Sequence, residues 1–459
     1  MSLDKKTQQG FPVPDFSDMH DWDVYGSLPM IEYRQSVAEG LNIEKYKDIF
    51  SEISKLPLSN IKKSFGDVLY EIVSSAEQKK DYKYNEPSTL DEIRALRKPH
   101  RVDKTLDKNK LESKIKGAWV GRICGCMLGK TVECIKTDEL IPVLKNSNNY
   151  PMHRYILKSD IEQTDISNFE FDFKTRAYAD TIDGMPWDDD TNYTVLAQKI
   201  IEDYGKDFTP LNVLQAWVKY QPKNSYCTAE RVAFCNFING YKPPYSAVYK
   251  NPYREFIGAQ IRTDYYGYIN PGNPEYAAEM AWRDASISHI KNGIYGAMFV
   301  AAALSVAAVT DNMEDIILSG LAEIPHTSRF YEEIMNVFDD YKKGVTQNEC
   351  FEKIHKKYDE HDAYGWCYTV SNAMIVAASL LYGKGDYGKS ICMAVEAGFD
   401  TDCNGATVGS IFGMAHGFES IPDYWQKPIG DKLKTTIFGI DTLSISETAK
   451  KTMSQIIGL

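Results

Sequence analysis

Four glycines spaced four residues apart, Gly405, Gly409, Gly413 and Gly417, run through an otherwise apolar-periodic stretch near the end of the chain. On a helix that spacing leaves one face bare over successive turns. Glycine costs a helix about 1 kcal/mol per residue relative to alanine, so the stripe implies that another helix or backbone approaches closely there. The constraint is architectural: a chain carrying it packs helix against helix.

The rest of the periodicity agrees. Apolar residues recur at helical spacing over 111–128, 193–204, 211–220, 275–309, 313–321, 331–343, 348–358, 370–382, 386–397 and 404–417. Alternating strand patterns are scarce. The expected fold class is therefore all-α, with long loops at 135–186 and 221–273, the second crowded with Tyr and Pro. Residues 1–20 read as a loose lead-in, and amphipathic helices follow over 41–75 with a break at Pro57. The charged stretch 81–108, which contains Pro87 and Pro99, is the linker candidate. It suggests an N-terminal helical extension, 1–105, before a domain at 106–459.

Composition excludes several classes. Lys and Arg total 52 against 64 Asp and Glu, a net charge of -12, which disfavours a phosphate-backbone partner. Nine cysteines, with no Cys-x-x-Cys pair, suit neither a disulfide framework nor a zinc cage. The first ten residues lack an apolar leader core, so a cytoplasmic, reduced protein is expected. The longest apolar run, 294–309, is too short for a bilayer and reads as a buried central helix. No membrane partner is expected.

Three segments carry chemistry. Asp188, Asp189 and Asp190 stand in a row just before the helix expected at 193–204. An aspartate there caps a helix N-terminus, but capping needs only one side chain. Three together repel and suit solvent or a hard cation with oxygen ligands. Asp400 and Asp402, followed by Cys403, alternate at a second loop-to-helix junction. The glycine-rich run 116–133 is no dinucleotide fingerprint, since no strand precedes it and its spacing differs. It fits a tightly packed helix ending in a loop that presents Glu133.

Taken in order, these segments resemble the ADP-ribosylglycohydrolase family over roughly 111–417. The resemblance implies an orthogonal all-α bundle with two divalent cations, Mg²⁺ or Mn²⁺, at the bottom of an ADP-ribose cleft. It implies Asp188, Asp189, Asp190, Asp400, Asp402 and Cys403 as metal ligands, with Glu133, Asp189 and Asp402 as the catalytic set. The implied reaction is attack of metal-activated water at the anomeric carbon of an ADP-ribosyl or related ribosyl linkage, on a small molecule or protein. The chain departs from the family pattern at three places: Asp188 replaces a threonine, Cys403 replaces a threonine or serine, and Cys126 replaces an aspartate. Cysteine is a soft ligand and poor for Mg²⁺.

Weaker candidates for substrate binding are Arg262 for a diphosphate, Tyr265 for ring stacking, His289, and His361 with Tyr364 as a cleft wall. Helix-borne histidines and Tyr-rich loops are commonly structural. An isoprenoid synthase is excluded: its Asp-Asp-x-x-Asp pattern needs aspartate where Thr191 and Asn192 stand. A non-catalytic nucleotide-binding or structural protein on the same fold is the competing reading.

Overall fold

A computed structural model describes residues 16, 19–167 and 169–456. Most of the lead-in at 1–20 lies outside the described residues. The chain divides into two compact units: one runs to Lys83 and includes Tyr249–Tyr253, and the other is Tyr84–Val248 with Arg254–Leu459. In the first unit the helices Pro29–Ala38, Lys47–Ser54 and Asn60–Ser74 enclose Tyr33, Ile43, Phe50, Ile53 and Leu69. Ser59 starts the last of these helices by accepting the Lys62 amide.

The second unit is organised by two glycine-lined helices, Lys108–Lys130 and Thr401–His416. Gly117, Gly121 and Gly125 face Gly413, Gly409 and Gly405, and Gly129 faces Thr401. One number rises by four as its partner falls by four, so the helices run antiparallel. A Cβ on any of the three paired glycines of either helix would overlap a backbone carbonyl of the other. The stripe at 405–417 therefore has a matching stripe at 117–129, a pairing that the spacing of either segment alone does not reveal. The pairing brings the end of the first helix, with Lys130 and then Glu133, beside the start of the second, with Asp400 and Asp402. Thr401 Oγ1 donates to the Gly129 carbonyl at 2.9 Å and closes that junction.

The third carboxylate segment reaches the same point on the helix Asp189–Tyr204, whose N-cap is Asp188. Its approach is held by a two-stranded antiparallel hairpin, Lys432–Ile437 with Ile440–Ser444. The Met185 amide donates to the Lys432 carbonyl at 2.9 Å, and the Lys434 amide donates back at 3.0 Å.

The structure departs from the expected periodicity in three places. The helix expected at 275–309 is broken into Pro274–Ala285 and Lys291–Ala307. Between them the chain turns extended at Ile290, whose amide leaves the helical ladder for the Arg254 carbonyl at 3.0 Å. The expected loop at 221–273 instead contains Thr228–Ile238, Tyr245–Val248, Gly258–Arg262 and Asp264–Tyr268. The last two are buried at every position, so they show no polar face for a periodicity argument to find. The expected loop at 135–186 also holds the helices Thr137–Asn146 and Lys158–Glu162. The Lys291–Ala307 helix is buried almost throughout, as its apolar run suggested. Among the described residues no helix is long and apolar enough to cross a membrane. Among the described residues no disulfide joins the cysteines.

Candidate metal centre

Asp188, Asp189, Asp190 and Asp402 offer ligand atoms that all lie within 4.8 Å of one another. Cys403 forms such a group with Asp190 and Asp402, and Cys126 forms one with Asp188 and Asp190. Asp188, Asp190 and Asp402 are buried and Asp189 half-buried.

Two cations offset part of this charge. Lys130 Nζ lies 2.7 Å from Asp188 Oδ2, while Asp188 Oδ1 accepts the Asp190 amide at 2.9 Å. Arg122, fully buried, donates to the Asp190 carbonyl at 2.8 and 3.0 Å, to Asp190 Oδ1 at 3.1 Å and to Asp264 Oδ2 at 2.9 Å. It also donates to the Ile261 carbonyl. Neither basic residue stood out in the sequence as part of the site. A buried arginine in a glycine-lined helix was the available signal, since such a charge needs a partner.

What remains is surplus negative charge. Asp190 Oδ2 and Asp402 Oδ1 are buried with no hydrogen-bond partner. Burial and the neighbouring carboxylates push Asp189, Asp190 and Asp402 well above the usual carboxylate range. Asp188 differs: burial opposes its charge, but the Lys130 ammonium holds it below the usual range. A divalent cation would answer both orphaned oxygens and relieve the repulsion, so the donor set fits a metal.

Asp400 sits next to this group but outside the 4.8 Å sets. Its amide donates to Asn372 Oδ1 at 3.2 Å, and the Cys367 thiol lies 3.9 Å from its Oδ2. Burial pushes its carboxyl up to about 6. Glu133 is half-exposed, 3.9 Å from Arg176, and burial together with the Asp188 charge pushes it up to about 7.

The weaker candidates are placed elsewhere. Arg262 is buried and fully engaged, donating to Asp284 Oδ1 at 2.5 Å, the Asp284 carbonyl at 2.9 Å and Glu230 Oε1 at 2.6 Å. Tyr265 is buried and donates to Gln455 Oε1 at 2.6 Å. His289 is buried with Ser288 Oγ 2.8 Å from its Nδ1, and burial keeps it neutral. His361 is exposed beside Asp359 and Asp138. Tyr364 is stacked on Tyr368 with ring centroids 5.0 Å apart. His361 and Tyr364 share a segment with Cys367, which reaches Asp400.

Comparisons with known proteins bear on this arrangement. Among curated proteins none matches the chain. A solved structure described as an "ADP-ribosylglycohydrolase-related protein complex" is similar at 14% identity, covering 76% of this chain and 98% of that chain, with a TM-score of 0.49. The family model for ADP-ribosylglycohydrolase matches residues 107–452. That span takes in both glycine-lined helices and every carboxylate of the buried cluster. Because it covers well over half of the sequence, the chain belongs to the ADP-ribosylglycohydrolase family.

Proposed function

We propose that the protein is a divalent-metal-dependent hydrolase that cleaves an ADP-ribosyl linkage, N- or O-glycosidic, or a related ribosyl linkage, on a small molecule or a protein. The observation that carries this reading is the surplus of buried carboxylate, with Asp190 Oδ2 and Asp402 Oδ1 left unpaired. When bound, Mg²⁺ or Mn²⁺ supplies a Lewis-acid contact for vicinal ribose hydroxyls and a water acidic enough to attack the anomeric carbon. Asp189, Asp190, Asp402 and Cys403 would hold the metal, with Asp400 beside them. Arg122 and Lys130 fix Asp190 and Asp188 at the helix start, so the ligands are positioned before substrate arrives. Glu133, half-exposed and pushed up to about 7, is suited to take and return a proton near neutral pH.

The catalytic part is assigned to 106–459 and residues 1–105 to an extension. Glu86 and Arg329 form a buried ion pair within the second unit, so a chain beginning at Tyr84 is expected to fold and bind metal, and the stricter truncation, beginning near Lys104, tests whether 84–105 is needed as well. Loss of metal binding in that truncation would make the extension part of the site. A reducing, cytoplasmic setting is part of the proposal, in keeping with a cysteine spacing that suits no disulfide framework.

The test is release of ADP-ribose from ADP-ribosylated proteins and small molecules, with Mg²⁺ or Mn²⁺ and with chelator. Metal-dependent release is expected. Full metal occupancy with no cleavage of any ADP-ribosyl or ribosyl substrate would favour a binding protein on this fold.

A further inference from the structure

Arg176, whose Nη1 lies 3.9 Å from Glu133 Oε2, also lines a cavity of about 430 Å³. Lys158 and Lys174 line it too, against the carboxylate of Glu162, so its wall is basic in a chain of net charge -12. Lys158 reaches Glu162 only at 3.9 Å and Lys174 is exposed, which leaves both ammonium groups available. The floor is apolar and buried, formed by Ile161, Phe173 and Tyr178. It is also held in shape. The Tyr178 hydroxyl donates to the Phe173 carbonyl at 2.6 Å, and the Arg176 guanidinium lies over the Phe171 ring, 4.5 Å from its centroid. Thr131 Oγ1 donates to the Ala177 carbonyl at 2.9 Å and ties this wall to the chain two residues before Glu133.

We propose that this cavity receives a phosphate-bearing leaving group of the nucleoside monophosphate class, while the ribose to which it is linked sits at the acidic centre. The inference rests on reading that centre as a ribosyl hydrolase. In an O-glycosidic cleavage the water oxygen bonds to the anomeric carbon, and the broken bond leaves its electron pair on the departing oxygen. That oxygen takes the proton Glu133 has drawn from the water, so the departing group lies on the Glu133 side. Arg176 joins that side to the cavity. Arginine holds phosphate as a fork and lysine as a point charge. The apolar floor suits a ring, and the volume is that of a small-molecule site. The acidic centre repels phosphate; the cavity wall attracts it.

The experiment titrates uridine 5′-monophosphate into the full-length chain held in saturating ADP-ribose, so that calorimetry reports a place ADP-ribose does not fill. Saturable binding is expected, weakened about tenfold in the double variant Lys158→Ala, Lys174→Ala and restored when both are arginine. In turnover, ADP-ribose O-linked to a ribose hydroxyl of uridine 5′-monophosphate should be preferred in kcat/KM over the same linkage to uridine. The double alanine variant should cut that preference about tenfold, through KM. Circular dichroism checks its fold, and Lys174→Ala alone replaces it if the double variant does not fold. Uridine 5′-monophosphate binding seen only without ADP-ribose would assign the cavity to the diphosphate of ADP-ribose and overturn the inference, as would equal affinity for uridine. Metal-dependent ADP-ribose release with no preference between the two conjugates sinks the inference and spares the functional reading. Lysine-dependent binding of uridine 5′-monophosphate with no cleavage of any ribosyl substrate sinks that reading, and with it the leaving-group role, leaving the cavity a phosphate site.

Discussion

Two of the buried charge clusters in the second unit are finished differently. Around Arg262, Asp284 has Oδ1 bonded to the guanidinium and Oδ2 to the Tyr266 hydroxyl at 2.7 Å, and Glu230 meets the remaining arginine nitrogen. Around Asp188, Asp189, Asp190 and Asp402, Lys130 and Arg122 answer only part of the charge, and two carboxylate oxygens stay unpaired. Buried polar atoms are normally satisfied, so the first cluster reads as scaffold and the second as a place built for something the chain itself does not supply. Burial alone does not separate the two, since both are buried. The unpaired atoms do.

The sharpest way to break that contrast is Arg262→Ala. Removing one partner of a buried ion network is expected to cost about 3–5 kcal/mol, read as a lowered urea midpoint, with KM unchanged in the protein that remains folded. A raised KM with intact stability would move Arg262 into the substrate site. Asp402→Asn should do the opposite. It keeps size and removes a ligand charge, so turnover is expected to fall about a thousandfold, the scale of several kcal/mol of lost charge stabilisation. Its melting temperature in chelator should hold or rise, because like-charge repulsion is relieved. Unchanged ADP-ribose release in this variant would remove Asp402 from the mechanism.

Glu133→Gln sharpens the division of labour within the second cluster. Metal binding by calorimetry is expected to survive while turnover drops about a hundredfold, as for a lost proton-transfer group. The smallest effect concerns pH. Glu133 and Asp400 have carboxyls raised to about 7 and about 6 in the fold, above the roughly 4 of an unfolded carboxylate. A raised acid stabilises the fold fully below its unfolded value and loses that contribution as pH rises through the folded value. The metal-free protein should therefore melt about 2–4 °C lower at pH 8 than at pH 5. Bound divalent metal should remove most of that slope, and a metal-free melting temperature that rises with pH would contradict the charge surplus.

The helix starts at Asp188 and Asp400 were legible because capping chemistry and apolar spacing are local. The stripe at 405–417 announced a close neighbour for the same reason. It did not name the neighbour. That the partner is the 117–129 face is set by the fold, which places Gly117, Gly121 and Gly125 opposite Gly413, Gly409 and Gly405. The Gly258–Arg262 and Asp264–Tyr268 helices escaped periodicity because burial on every side erases the polar face that a pattern needs.

By itself, then, the sequence determined the helical class and the surplus of carboxylate at two helix starts, along with a glutamate after a glycine-rich helix. All three are set by residues a few positions apart. Only the tertiary structure decided which of those oxygens are answered. Arg122 reaches Asp264 across 142 residues and Asp190 across 68, and Lys130 reaches Asp188 across 58. It also decided that Arg262 closes on Glu230 and Asp284 inside the core. Satisfaction of a buried charge depends on whatever the fold brings within about 3 Å. No local spacing carries that information.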